Sequence, residues 1–186
     1  MAAITEFEIY QVTNGHAGFG TANATAIGCT GSLEVEPDTK TVTKKCEGVT
    51  TDEVQQVVGL TVNFSGHVKV DVLRNVWGLD TTDLKAGVWS YGVNSRGKRG
   101  VYTWEAYDMR RETKKFIAFP ELAATTGLRW KVENGGDEVA EVEIEFRAFL
   151  DANGNFYYEA FESELTDTVA KTTWMTKFTP ALVKGA

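Results

Sequence analysis

The clearest pattern in the chain lies in residues 56–79. Val58, Leu60, Val62, Phe64, Val68 and Val70 fall on one side; Thr61, Asn63, Ser65, His67 and Lys69 fall on the other. A period of two sustained that far predicts a β-strand with one buried and one hydrated face. At Asp71 the period changes. Val72, Leu73, Val76 and Trp77 share one helical face, with Arg74 and Asn75 outside it. Asp71 is placed to cap the start, and Gly78 to provide a left-handed C-terminal cap. A long amphipathic strand hands over to one short helix.

The pattern returns at 138–150 with an acidic polar face. Ala140, Val142, Ile144, Phe146, Ala148 and Leu150 alternate with Glu141, Glu143, Glu145 and Arg147. Carboxylates two residues apart project about 7 Å from one another, so this face must meet water. Weaker signals predict strands at 4–12, 27–36, 39–46, 88–93, 101–108, 116–119, 128–133 and 156–164. Pro37-Asp38 reads as a turn pairing 27–36 with 39–46, which would set Cys29 opposite Cys46. Pro120 reads as a strand stop, and 134–137 and 151–155 as turns. The predicted fold is mainly antiparallel β, a sandwich or open barrel with one short flanking helix. Residues 1–165 form a single domain on this reading. Residues 166–186, polar with scattered Trp174, Met175, Phe178 and Leu182, form a terminal arm that docks, with a neighbouring subunit as one candidate.

Composition narrows the function classes. Eighteen glycines, three prolines and a net charge of −7 describe an acidic chain of ordinary globular make-up. That charge disfavours nonspecific binding to the outside of nucleic acid. It is uneven, however. Arg96, Lys98, Arg99, Arg110, Arg111, Lys114 and Lys115 outnumber Glu105, Asp108 and Glu112 within 96–115. Oppositely charged regions allow copies to stack on one another. No apolar run approaches the roughly 20 residues of a bilayer span, and residues 1–6 do not look like a leader, so folding in the cytoplasm is expected.

Nothing in the sequence points to catalysis, a cofactor or a metal. There is no nucleophile elbow, HExxH, paired-Cys metal motif or Walker loop. Gly15-His16-Ala17-Gly18-Phe19-Gly20 lacks the strand, helix and lysine of a phosphate loop. Residues 151–162 only echo a calcium loop, with Phe156 where glycine is required. His67 belongs to a polar strand face, and two cysteines are a poor zinc site. Trp89, Trp104 and Trp130 could stack on a ligand or pack in the core.

From about Gly28 to Leu150 the chain resembles major tail tube proteins of long, flexible-tailed (siphovirus-type) bacteriophages. The resemblance rests on Gly31-Ser32-Leu33-Glu34-Val35-Glu36-Pro37 with Thr41-Val42-Thr43-Lys44-Lys45-Cys46-Glu47-Gly48. It continues through Ser65-Gly66-His67-Val68, Val70-Asp71-Val72, Gly78-Leu79, Tyr91-Gly92, Asn94-Ser95 and Phe119-Pro120. It implies a β-sandwich flanked by a helix, assembled as hexameric rings that stack into a hollow tube in the virion tail. The implied partners are further copies of itself, a tape measure protein inside the tube, and tail terminator and tail-tip or baseplate proteins. Phage DNA would pass through without sequence-specific binding, and without membrane insertion of the tube protein. Alternation and charge then make Glu141, Glu143 and Glu145 the first lumen-lining candidates, with Thr61, Asn63 and Ser65 the second. Arg96, Lys98, Arg99, Arg110, Arg111, Lys114 and Lys115 become candidates for contacts between subunits or rings. The competing expectation is a monomeric β-sandwich that binds carbohydrate or peptide through its tryptophans.

Overall fold

The structure is a computed structural model, and it describes residues 4–135 and 138–185. Eight strands form one antiparallel sheet: β1 (Gln11–Phe19), β2 (Thr25–Ala26), β3 (Gly28–Cys46), β4 (Val49–Val68), β5 (Gly100–Tyr107), β6 (Lys114–Ala124), β7 (Val142–Ala148) and β8 (Tyr158–Phe161). Their order is β2-β1-β5-β6-β7-β4-β3, with β8 also on β6. The ends of the sheet meet at Ile27. Its N–H donates to the Gly15 carbonyl at 2.8 Å, and its own carbonyl accepts from Lys69 N–H at 2.7 Å. The rolled sheet encloses Val62, Phe64, Tyr102, Trp104, Phe119, Leu122, Ile144 and Phe146, all buried.

The predicted helix is present as α1 (Val70–Trp77), and Val72, Val76 and Trp77 join the same core. Gly78 ends it at φ 66° and ψ 42°, the left-handed cap foreseen. The start differs. Lys69 is the N-cap, with no side-chain cap bond, and Asp71 instead lies in the first turn, 3.3 Å from Arg74.

A second helix, α2 (Thr168–Lys177), occupies the segment read as an arm. Asp167 caps it by accepting from Val169 N–H at 2.7 Å and Ala170 N–H at 3.0 Å. The helix lies on this chain's own sheet. Trp174 stacks on Phe116 at 5.7 Å and meets Phe178 at 4.9 Å. The buried Thr103 hydroxyl donates to the Met175 carbonyl at 3.0 Å, and Ala24 N–H to the Thr176 carbonyl at 2.8 Å. Trp174→Ala should therefore cost about 3–5 kcal/mol, the range for emptying a buried tryptophan site. Urea unfolding followed by circular dichroism measures it, and a cost below about 1 kcal/mol contradicts this packing.

Several other expectations are corrected. Pro37-Asp38 is no turn: β3 runs through it to a tight turn at Glu47-Gly48, and β4 is its partner throughout. Cys29 thus faces His67 and Cys46 faces Val49, both thiols free and exposed at opposite ends of one strand. Residues 50–55 belong to β4. Pro120 lies within β6 and does not end it. Residues 4–10, 88–93 and 128–133 are not strands, apart from one bridge between Asp80 and Ser90. The glycine-rich segment around His16 is mostly strand β1. Of the turn expected at 134–137, Gly136 and Asp137 lie outside the described residues.

Candidate functional site

Strands β3, β4 and β7 lie side by side; the inward residues of β4 and β7 belong to the core, and Leu33 of β3 packs against it. Their outward residues form aligned rows: Ser32, Ser65 and Glu143; then Glu34, Asn63 and Glu145; then Glu36, Thr61 and Arg147. Antiparallel pairing sets directly opposed side chains about 5 Å apart, so these nine residues make one continuous polar surface. The Ser32 and Ser65 hydroxyls hydrogen bond at 2.9 Å, and Asn63 Nδ2 donates to Glu34 Oε2 at 3.4 Å. Glu145 accepts from the Thr125 hydroxyl at 2.6 Å, while Glu143 lies 3.7 Å from Arg129. Arg147 is held by Asp38 at 3.2 Å, and Asp38 also accepts from the Thr61 hydroxyl at 3.3 Å. Four glutamates against one paired arginine leave the nine-residue face acidic, and its serines, threonine and asparagine keep it hydrated.

Two separate sequence predictions converge here. Thr61, Asn63 and Ser65 sit beside Glu143 and Glu145 on the same face. Glu141 stands just before β7, its carboxylate against Gly31 at the end of that face.

One end of the face continues into a ribbon. Beyond Leu60↔Ala148, β4 has no neighbour but β3 among the described residues. The outer parts of β3 and β4, 39–46 and 49–58, therefore project as two strands for about 25–30 Å. Val42, Val49, Val54, Val57 and Val58 on it are 46–66% exposed. An isolated two-stranded ribbon is marginal in water, and both its edges carry unpaired backbone groups.

No protein-family model matches the sequence, and no curated protein matches it. Among solved structures, a chain from the cryo-EM structure of the anti-feeding prophage cap, the AFP tube terminating cap, is similar. That similarity has a TM-score of 0.44 at 8% identity and covers 86% of this chain and 95% of that one.

The basic candidates divide in space. Lys115 pairs with Glu159 at 2.6 Å, and Lys114 with Glu162 at 2.8 Å and Glu105 at 3.7 Å. Both are engaged within the chain. Burial would raise the Glu159 carboxyl, but Lys115 and the Tyr157 hydroxyl outweigh it and hold the group below its ordinary value. Arg96, Lys98, Arg99, Arg110 and Arg111 remain exposed at two separate places. Lys98 donates to Asn75 Oδ1 at 2.8 Å beside α1, and Arg99 lies over the Phe149 ring at 3.9 Å. Arg110 and Arg111 occupy the β5–β6 turn, with Arg111 over Tyr107 at 4.9 Å.

The three tryptophans differ in their settings. Trp104 is fully buried against Gly15, and the Trp89 ring is covered by Arg74 at 4.3 Å. Trp130 alone of the three is widely exposed. Asp151 binds its own loop, accepting from Asn153 N–H, Asn155 N–H and the Tyr158 hydroxyl at 2.8, 2.9 and 2.6 Å. Among the described residues no group of three or more His, Cys, Asp or Glu is placed to hold a metal ion. No described helix is long and apolar enough to cross a membrane.

Ser32, Glu34, Glu36, Asp38 and Arg147 belong to the face but were not among the predicted site residues. Alternation of Leu33 and Val35 with Glu34 and Glu36 carries the signal for β3. Placing a turn at Pro37 hid it, because that turn assigns β3 the wrong partner.

Proposed function

We propose that this chain is a virion structural protein, a tail tube subunit of a siphovirus-type phage. Copies join as hexameric rings, and the rings stack into the channel that delivers DNA. The observation that carries this reading is the single acidic, hydrated face built from β3, β4 and β7. Residues 61–65 and 143–145, far apart in sequence, lie on it as neighbours. Turned inward, such a face repels phosphates within a Debye length of about 8 Å, and its one arginine is paired with Asp38. The projecting ribbon supports assembly, since its exposed valines and open strand edges offer another chain an apolar surface and a strand to pair with. Further copies are its proposed occupants.

The subunit then resides in the virion tail after assembly in the host bacterial cytoplasm. Its remaining partners are the tape measure protein within the tube and the terminator and tip proteins at its ends. The exposed Arg96, Lys98, Arg99, Arg110 and Arg111 serve contacts between subunits or rings. Cross-linking the purified protein over a concentration series tests the stoichiometry. The expected ladder fills to six subunits before larger species accumulate. A ladder that stops at two, or never forms, contradicts the ring.

A further inference from the structure

Arg147 is the one cation among the nine outward residues of the β3-β4-β7 face. An arginine facing DNA is the side chain best suited to grip a phosphate, through a bidentate fork. On a surface that must let DNA slide, it needs a local explanation. Asp38 Oδ2 lies 3.2 Å from Arg147 Nη2, and the Thr61 hydroxyl steadies the same carboxylate at 3.3 and 3.5 Å. The floor under the pair is Gly59. A Cβ there would come within 2.9 Å of Asp38 Oδ2 and 3.0 Å of Arg147 Nη2. Next to it the register shifts between Asp38 and Thr39, which leaves Val58 unpaired where the ribbon departs.

We infer that Asp38, seated by Thr61 over Gly59, is a positioning residue that occupies the Arg147 guanidinium and keeps it from DNA phosphates. The inference rests on the channel reading above. It separates two roles for acidic groups on the face. Glu34 and Glu145 repel phosphate at a distance and Glu143 lies beside Arg129, whereas Asp38 disarms the arginine within the face. Losing Asp38 therefore does more than subtract one negative charge.

The test compares affinity for a short labelled DNA duplex at low salt among purified variants. Asp38→Asn is expected to bind roughly tenfold more tightly than the parent, with a steeper salt dependence from one added phosphate contact. Glu34→Gln removes the same charge without freeing an arginine and should change affinity less than twofold on the same electrostatic grounds. Asp38→Asn with Arg147→Gln should return to the parent value. A purely structural role for Asp38 would not be reversed in that way. Gly59→Ala crowds the pair while keeping both charges and should give an intermediate gain, which covers the case in which Asp38→Asn does not fold. Equal affinities for Asp38→Asn and Glu34→Gln overturn the inference, as does a gain that survives the loss of Arg147. Negative-stain images of the same samples keep the two proposals apart. Parent tubes with no gain in Asp38→Asn defeat the inference alone. A gain in Asp38→Asn with a parent that never assembles defeats the channel reading alone.

Discussion

Changing Val42 to Lys and Val54 to Glu together will leave the subunit folded and stop it assembling. The two valines face each other across the ribbon and are 54% and 59% exposed. Opposite charges at directly opposed positions support a strand pair, so the ribbon itself should survive. What is lost is apolar surface available to another copy. Covering two half-exposed valines contributes about 2 kcal/mol, so each contact weakens roughly 30-fold even before the cost of burying charge. Sedimentation and the thermal midpoint read the two effects separately. A variant that still assembles at parental concentrations would show that the ribbon makes no contact between subunits. One that unfolds would show that its valines serve the monomer instead.

The second large effect is expected on DNA, with assembly intact. Reversing Glu141, Glu143 and Glu145 to Lys shifts the face by two charge units at each position. None of the three contributes to the buried core, and Glu143 and Glu145 point outward from β7. Tubes should therefore form. Lysines facing the channel would hold phosphates by releasing counterions, and that hold weakens steeply with salt. Slow, salt-relieved DNA delivery is the expected phenotype, with ejection slowed on the order of tenfold at low salt. Unchanged infectivity in virions with intact tails would remove these residues from the lumen.

Strands buried on one face were legible in the sequence because alternation is a direct record of burial. Residues 61–66 of β4 and the whole of β7 follow it residue by residue. α1 was legible from the helical spacing of Val72, Val76 and Trp77, and Gly78 from the left-handed cap that glycine adopts without strain. The two prolines misled for physical reasons. Pro37 lies in β3, the last strand of the sheet order, where a missing N–H is tolerated. Pro120 sits where pairing of β6 with β8 has ended at Ala118, pairing with β7 begins at Leu122, and the β5 register shifts. Each location removes the need for the hydrogen bond that proline cannot make.

α2 was hidden by its composition. Thr168, Thr172, Thr173 and Thr176 are weak helix formers, and Thr172 and Thr173 donate back to carbonyls of the preceding turn. Only the Asp167 cap and the tryptophan anchored on Phe116 betray it. The polar face was half visible. Two of its strands could be read singly, but their adjacency and the third strand depend on long-range pairing that no local pattern encodes. The basic stretch shows the converse, with residues adjacent in sequence separated into ion pairs and two unconnected surfaces.

The central claim is that the β3-β4-β7 face lines a channel made by many copies. Cryo-electron microscopy of the protein concentrated until it assembles tests this most directly. The predicted result is stacked six-membered rings with Glu34, Glu36, Glu143 and Glu145 facing the lumen. A persistent monomer, or a tube carrying that face on its outer wall, would contradict it.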